Sequence, residues 1–106
     1  MIRFGDGDHL LLVLEALSNP HRLKIIAVLS EGRQYVSELA RALEMSRPLL
    51  YLHLQKLEEA NLVTSNLEIL ESGKSAKFYM LHPFQFEMSE RLIRELAPTL
   101  TMKKKK

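Results

Sequence analysis

One segment, SRPLLYLHLQKLEEANLV from Ser46 to Val63, constrains the fold more than any other part of the sequence. Ser46 is a favourable N-cap, and Pro48 falls in the first helical turn, where a missing backbone N–H costs no intrahelical bond. Asn61 can take the left-handed conformation in which many helices end. The segment is therefore predicted to form a helix whose two ends are both defined by the sequence.

The two faces of this helix are predicted to have different surroundings. On a wheel of about 100° per residue, the face predicted to be buried clusters Leu50, Leu54 and Leu57, with His53 and Ala60 at its flank. The opposite face carries Pro48, Tyr51, Leu52, Gln55 and Glu59, with Arg47 at the N-terminal end. Its first two turns are nearly free of negative charge, whereas a solvated helix usually carries Lys and Glu there. This composition predicts contact with a partner other than water.

The chain before this segment predicts three more helices. Asp8 can cap a first helix over residues 8–18. Asn19 and Pro20 begin a second helix, which Gly32 can end in the left-handed conformation. Its predicted buried stripe is Leu23, Ile26, Ala27 and Leu29–Ser30. A short third helix is indicated by apolar residues at helical spacing, Val36, Leu39, Ala40 and Leu43.

The segments after it complete a mainly α fold with about five helices and a small β-hairpin. Two β-prone runs surround Ser72-Gly73-Lys74, and a last helix is predicted to start near Pro83. The order helix, helix, short helix, turn, helix, hairpin, helix is that of a winged helix-turn-helix. We predict one domain over residues 1–102, with dimerisation helices at 8–18 and 83–100, the helix-turn-helix at 36–61, and a two-stranded wing at 62–82 before a basic tail, 103–106.

The exposed face of the helix that follows Ser46 suits the major groove of duplex DNA. Arg47 can pair with guanine or a phosphate, Gln55 can bond adenine, and Leu52 can pack on a thymine methyl group. Tyr51 can reach a phosphate, and a helix N-terminus itself favours an anion. Single surface leucines are common, so packing of Tyr51 and Leu52 under a neighbouring loop or a partner remains the alternative.

Three stretches, LSNPHRLKIIAVLSEG, VSELARALEMSRPLLYLHLQKLEEANLV and ESGKSAKFYML, resemble the ArsR-type winged-helix transcriptional regulators, especially archaeal ones. The resemblance covers roughly residues 14–81. Tyr51 stands where the family usually has serine, while His53 and Leu54 match. The resemblance implies a homodimer on a roughly palindromic operator, with the fourth helix in the major groove and the wing on the backbone or in the minor groove. It also implies that the groove residues are Ser46, Arg47, Pro48, Tyr51, Leu52 and Gln55, and that the wing contacts are Lys74 and Lys77.

The first helix also predicts a dimer, because it is apolar nearly all round and so must be covered on every side. A domain this small has little material for that. The last helix is apolar on one face, so an interface built from both helices would bury Leu10, Leu11, Leu14, Leu17, Met88, Leu92 and Leu96. Burial of the first helix within one subunit is the alternative.

The chain has no cysteine, which excludes disulfides, thiolate metal sites and cysteine nucleophiles. Many ArsR-type relatives are metal sensors with cysteines in the third helix, where this chain has Ser37, Leu39 and Ala40. We predict no metal site and no cofactor. We also predict no enzyme, because Glu58 and Glu59 diverge by about 100° on a helix, and no phosphate loop or acid/base pair is present.

Total charge predicts little about the partner. The net charge of +2 comes from 15 basic and 13 acidic residues, and four of the basic ones are the terminal lysines. The tail is either simply solvated or adds non-specific DNA affinity. The N-terminus lacks the pattern of a signal peptide, and its apolar run is too short to span a bilayer, so a cytoplasmic protein without a membrane partner is expected.

We therefore predict a homodimeric, sequence-specific double-stranded DNA-binding transcriptional regulator that represses by occupying its operator. Helix 46–60 enters the major groove in this interpretation, and no effector ligand can be named. The alternative is a winged-helix module that binds protein without specific DNA binding.

Overall fold

Five α-helices and three β-strands form residues 1–102, the part of the chain that the computed structural model describes. The helices are α1 (Gly7–Leu17), α2 (Pro20–Leu29), α3 (Val36–Ala42), α4 (Arg47–Glu59) and α5 (Glu90–Leu96), and a 3-10 turn, Ala97–Thr99, follows α5. The strands are β1 (Gln34–Tyr35), β2 (Val63–Ile69) and β3 (Ser75–Leu81). This order confirms the winged helix-turn-helix prediction. The expected basic tail, 103–106, lies outside the described residues.

The three strands form one antiparallel sheet in the order β1-β3-β2. β2 and β3 pair along their whole length, from Val63 opposite Leu81 to Ile69 opposite Ser75. Gly73 has a φ of +84° in the turn between them, a conformation that glycine adopts without strain. The hairpin is the predicted wing. β1 was not predicted, and it adds a short third strand to the other edge of β3.

The sequence signals around α4 act as predicted. The Ser46 hydroxyl accepts a hydrogen bond from the backbone N–H of Leu49 at 3.4 Å. Asn61 has a φ of +59°, and its N–H donates to the carbonyl of Glu58 at 2.9 Å. Glu44 takes a similar left-handed conformation, with a φ of +51°, in the turn between α3 and α4. Both ends of the helix are thus fixed by local bonds.

The hydrophobic core lies where the helices meet the sheet. The three leucines predicted to be buried on α4, Leu50, Leu54 and Leu57, are fully inaccessible. They pack with other buried residues from α1, α2, α3 and the sheet, including Val13, Ile25, Leu39, Leu62 and Tyr79. Because α4 contributes three side chains to this core, its opposite face must point away from the molecule.

The predicted buried stripe of α2 is partly wrong. Leu23 is 52% exposed and Ala27 is also exposed, whereas Ile25 is fully buried. The helix is rotated so that Arg22 turns inward, where its guanidinium donates to the carbonyls of Glu15 and Ala16 at 3.0 and 2.7 Å. A side chain–backbone contact with α1 therefore sets which face of α2 is buried.

The start of α1 also differs from the prediction. Asp6, and not Asp8, is the N-cap, and its carboxylate accepts from the N–H of His9 at 2.8 Å. Asp8 instead accepts from the N–H and the hydroxyl of Thr101, at 2.9 and 2.6 Å. The hydrogen bond from the Thr101 hydroxyl, reinforced by the backbone bond, lowers the pKa of Asp8. A Cβ at Gly7 would lie 2.5 Å from the carbonyl oxygen of Leu96, so a glycine allows the C-terminal segment to approach α1.

The last helix is shorter than the predicted 83–100. Residues 83–89 are not helical, and α5 begins at Glu90 with Ser89 as its N-cap. Phe84 and Phe86 alternate along this extended stretch, and both pack against the core. Phe86 meets Phe4 edge to face with ring centroids 5.1 Å apart. Pairing with the N-terminal segment therefore replaces the first half of the expected helix.

Candidate nucleic-acid interface

The outward face of α4 presents every residue that the sequence predicted there. All six are exposed: Ser46, Arg47, Pro48, Tyr51, Leu52 and Gln55. Leu52 keeps 62% of its surface in water and Tyr51 keeps 40%. The core leucines on the other side of the helix fix this orientation, so the apolar exterior of α4 is a property of the folded chain.

A concavity of about 550 Å³ lies between α4 and the wing. It brings together three of the predicted residues, Arg47, Tyr51 and Lys77. The rest of its lining comes from the start of α3 and from the wing: Tyr35, Val36, Ser37, Leu67, Leu70, Ser75 and Ala76. None of these lining residues is acidic. The other predicted residues lie outside this lining, Lys74 in the wing turn and Ser46, Pro48, Leu52 and Gln55 on the helix.

Lys77 joins the wing to α4. Its side chain is half-buried, with Nζ 5.9 Å from the ring centroid of Tyr51 and 5.4 Å from that of Tyr79. A hydrogen bond with Tyr79 raises the pKa of Lys77, and the charge of Glu58 adds to this effect. The ammonium group therefore stays charged at neutral pH, at a fixed place on the wall of the concavity. Lys74, by contrast, is fully at the surface of the wing turn.

A polar cluster joins the turn end of β2 to β1. The Tyr35 hydroxyl donates to the Glu68 carboxylate at 2.6 Å, and Arg33 pairs with the same carboxylate at 3.0 Å. The hydrogen bond from Tyr35, followed by that from Arg33, lowers the pKa of Glu68, and the same bond raises the pKa of the tyrosine. The Arg33 guanidinium also lies 4.2 Å from the ring centroid of Phe78. These contacts pair the Glu68 carboxylate with a cation and a hydroxyl donor.

Sequence reasoning missed Tyr35 and Ser37 as neighbours of the interface. Both line the concavity beside Arg47. One local signal was available, because Glu38 follows Tyr35 by three residues, and its carboxylate accepts from the backbone N–H of Tyr35 at 2.9 Å. That spacing marks a helix start, and in a helix-turn-helix the start of the first helix lies near the groove surface.

Behind the interface, Arg22 connects three helices. Besides bonding the end of α1, its guanidinium lies 3.2 Å from Nδ1 of His53 on α4. His21 packs against the same imidazole, with ring centroids 5.3 Å apart. Burial lowers the pKa of His53, and the charges of Arg22 and His21 lower it further. The neutral imidazole can accept from Arg22, which braces α4 from its rear side.

A second surface lies between α1 and the C-terminal segment. A groove of about 200 Å³ is lined only by apolar residues and glycine. Five of the residues predicted for dimerisation line it, Leu10, Leu11, Leu14, Met88 and Leu96, although Leu10 is itself nearly buried. The other two lie elsewhere, since Leu17 packs on the core and Leu92 lies beside the exposed residues of α5.

Within residues 1–102, no three histidine or acidic side chains are close enough together to hold a metal ion. In the same part of the chain, no helix is long and apolar enough to cross a membrane.

Comparison with known proteins gives a consistent family relationship. A family model described as bacterial regulatory protein, arsR family, matches residues 19–65, which include the whole helix-turn-helix. An uncharacterized HTH-type transcriptional regulator of Methanocaldococcus jannaschii is 44% identical over 82 residues, which cover 77% of this chain and 85% of the relative.

Solved structures share the fold. HlyU from Vibrio cholerae has a TM-score of 0.59 and 30% identity, over 72% of this chain and 77% of its own. A possible ArsR-family transcriptional regulator from Mycobacterium bovis has a TM-score of 0.62 and 26% identity, over 87% of this chain and 75% of its own. Its structure is that of a homodimeric winged helix-turn-helix DNA-binding domain in solution.

Proposed function

This chain belongs to the ArsR family of winged helix-turn-helix transcriptional regulators, and from that premise we propose that it is a homodimer that binds double-stranded DNA sequence-specifically. The ArsR family consists of regulators and not of enzymes. In this proposal α4 enters the major groove, and the wing contacts the backbone or the minor groove. Occupancy of a two-fold operator represses transcription in the cytoplasm.

The observation that carries the proposal is the concavity between α4 and the wing. It places two cations, Arg47 and Lys77, beside an exposed tyrosine, Tyr51, with no acidic side chain in the lining. Binding to the phosphate backbone requires cations at the protein surface. Contact with base edges favours side chains whose desolvation costs little free energy. The Glu68 carboxylate, near the turn end of β2, is already paired with Arg33 and Tyr35.

In this proposal, specificity for the DNA sequence comes from exposed residues on the outward face of α4. Arg47 suits guanine O6 and N7, Gln55 suits adenine, and Leu52 suits the methyl group of thymine. The helix begins at Arg47, so the N-terminal turns that approach the base edges in helix-turn-helix docking carry these side chains. The glutamates of α4 come at its C-terminal end, where the helix leaves the groove.

Dimerisation is assigned to the groove between α1 and α5. A groove lined by apolar residues alone is best covered by another apolar surface. In a two-fold symmetric dimer, the same groove of a second copy provides that surface. The homodimeric neighbour from Mycobacterium bovis supports dimerisation as such. Two α4 helices would then contact successive major grooves, about 34 Å apart.

Selection of bound duplexes from a random pool at near-physiological salt, followed by sequencing, tests the proposal. We expect a two-fold symmetric motif whose half-site contains guanine, adenine and thymine, the bases assigned to Arg47, Gln55 and Leu52. Weak, salt-sensitive retention without any motif would contradict specific binding. The exposed Leu52 and Tyr51 would then favour the second candidate, a winged-helix module that docks on another protein through α4.

A further inference from the structure

Two aliphatic side chains of the wing are exposed to an unusual degree. Leu67 keeps 70% of its surface in water and Ile69 keeps 81%. Both lie on β2, in a strand whose first residue, Val63, is buried. Small proteins rarely leave neighbouring large aliphatic residues in water unless a partner covers them. Neither side chain has a role in the proposed function as stated so far.

Strand register places these two side chains on the same face of the hairpin. Leu67 is opposite Lys77 and Ile69 is opposite Ser75, and directly opposed residues in an antiparallel pair share a face. We call this surface, formed by Leu67, Ile69, Ser75 and Lys77, the wing apolar face. Leu67, Ser75 and Lys77 line the concavity together with Arg47 and Tyr51, so the wing apolar face continues the candidate DNA surface.

The charges around the wing apolar face suit a polyanion more than a protein. Lys74 lies in the turn beyond it and Lys77 lies on it near Glu58 of α4, while Glu68 is on the opposite face and is already paired. Glu71 is the one acidic residue in the turn itself. The minor groove of DNA is complementary to this surface. Its phosphates lie along the edges, where they can pair with lysines, and its sugar walls are apolar and can contact aliphatic side chains.

We propose that Leu67 and Ile69 enter the minor groove beside the major groove contacted by α4 and wedge against a base step. This inference rests on the proposed function, because it requires α4 to be docked on duplex DNA. Inserted aliphatic side chains partly unstack a base step and kink the duplex toward the major groove by roughly 20–90°. The protein then favours flexible TA or CA steps at positions that it does not contact through hydrogen bonds.

The test compares three full-length proteins on the selected duplex: the wild type, the double variant Leu67→Ser with Ile69→Ser, and Met80→Ser as the matched control. Met80 is an exposed apolar residue of β3 on the opposite face of the hairpin. Bend angle is measured by the mobility of circularly permuted DNA fragments. Affinity is measured by anisotropy on duplexes with a TA or an AA step beside each half-site.

We expect the wild type and Met80→Ser to bend the duplex and to prefer the TA step. The double variant should lose the bend and the step preference, and should bind about tenfold more weakly. Its base preferences within the half-site should stay intact, because α4 is unchanged. Thermal unfolding of the double variant should also be unchanged, since both substituted side chains already lie mostly in water.

A double variant that bends and binds DNA like the wild type would overturn the inference while leaving the proposed function in place. Reduced self-association of that variant in light scattering would then assign the wing apolar face to protein docking. A wild-type protein that selects no motif would instead overturn the proposed function, and the wedge with it. The two failures are therefore distinguishable in one set of measurements.

Discussion

Two apolar surfaces of this molecule differ mainly in the charges placed on them. The surface formed by α4 and the wing combines Tyr51, Leu52 and Leu67 with two cations, Arg47 and Lys77. The groove between α1 and α5 has a lining of apolar residues and glycine alone. A polyanion is attracted by the first pattern. The second would leave any inserted charge unpaired, so it suits only another apolar surface.

The comparison shows that exposed leucines do not by themselves identify a partner. Leu52 on α4 and Leu11 on α1 are both exposed leucines on helices that also contribute to the core. The two leucines differ in their surroundings. The wing supplies the neighbours of the α4 surface, and the C-terminal segment supplies those of the α1 groove. Single substitutions can test whether the α4 surface binds DNA and whether the α1 groove binds a second copy of the chain.

The largest effect is expected from Leu14→Lys, which places an unpaired charge in the groove between α1 and α5. The dimer should dissociate, and operator affinity should fall by about a hundredfold or more because the two half-sites are no longer bound together. Sedimentation velocity and anisotropy measure the two consequences. Leu23→Lys is the control, since Leu23 is exposed on α2 outside both surfaces. A stable Leu14→Lys dimer would contradict the interface.

A smaller loss is expected from Arg47→Ala or Gln55→Ala. Each should lower the discrimination between operator and random duplex by about 1–3 kcal/mol if its contact to a base is bidentate. The variants should remain dimers. Competition anisotropy with both duplexes measures the difference, and Arg91→Ala, on the exposed face of α5, is the control. Equal losses on the two duplexes would rule out base contact by these residues.

Substitution of the wing lysines should have a still smaller and less specific effect. Lys74→Ala and Lys77→Ala should weaken binding to all duplexes alike, and each lost phosphate contact should reduce the slope of log K against log salt by about 0.9. Titrations at several salt concentrations measure the slope, with Lys24→Ala on α2 as the control. An unchanged slope would remove the wing lysines from the interface.

The smallest effect concerns His53, which braces α4 and belongs to neither surface. Burial, then the charges of Arg22 and His21, place its pKa in the folded chain below the ordinary 6.5. The unfolded chain therefore takes up a proton first as the pH falls. The free energy of unfolding should decrease as the pH drops below about 6.5, and His53→Gln should weaken this dependence. Urea unfolding at pH 7.5 and 5.5 measures it; an identical pH dependence in the variant would contradict the assignment.

The sequence predicted α4 well because its signals are local. Ser46, Pro48 and Asn61 act through bonds within a few residues of themselves, and Leu50, Leu54 and Leu57 repeat at helical spacing. The same signals predicted which face of α4 is exposed. Five of the six candidate residues could therefore be named from the helix itself before the fold was known, and the family resemblance added Ser46. Their contacts with DNA remain predictions.

Other parts of the fold depend on distant partners, which a local pattern cannot show. The buried face of α2 follows from the bonds of Arg22 to α1, and the extended stretch before α5 follows from the packing of Phe84 and Phe86 on the core. β1 is two residues long and becomes a strand only by pairing with β3. The contact of Lys77 with Tyr51 likewise joins two elements that are far apart in the sequence.

The two surfaces are expected to act separately, and the stoichiometry of the protein on its selected duplex tests this expectation. Sedimentation equilibrium with labelled duplex should give two wild-type chains per palindromic duplex. Leu14→Lys should give one chain on a single half-site, with the half-site base preferences of the wild type. One wild-type chain per palindromic duplex, or altered base preferences in Leu14→Lys, would contradict this expectation.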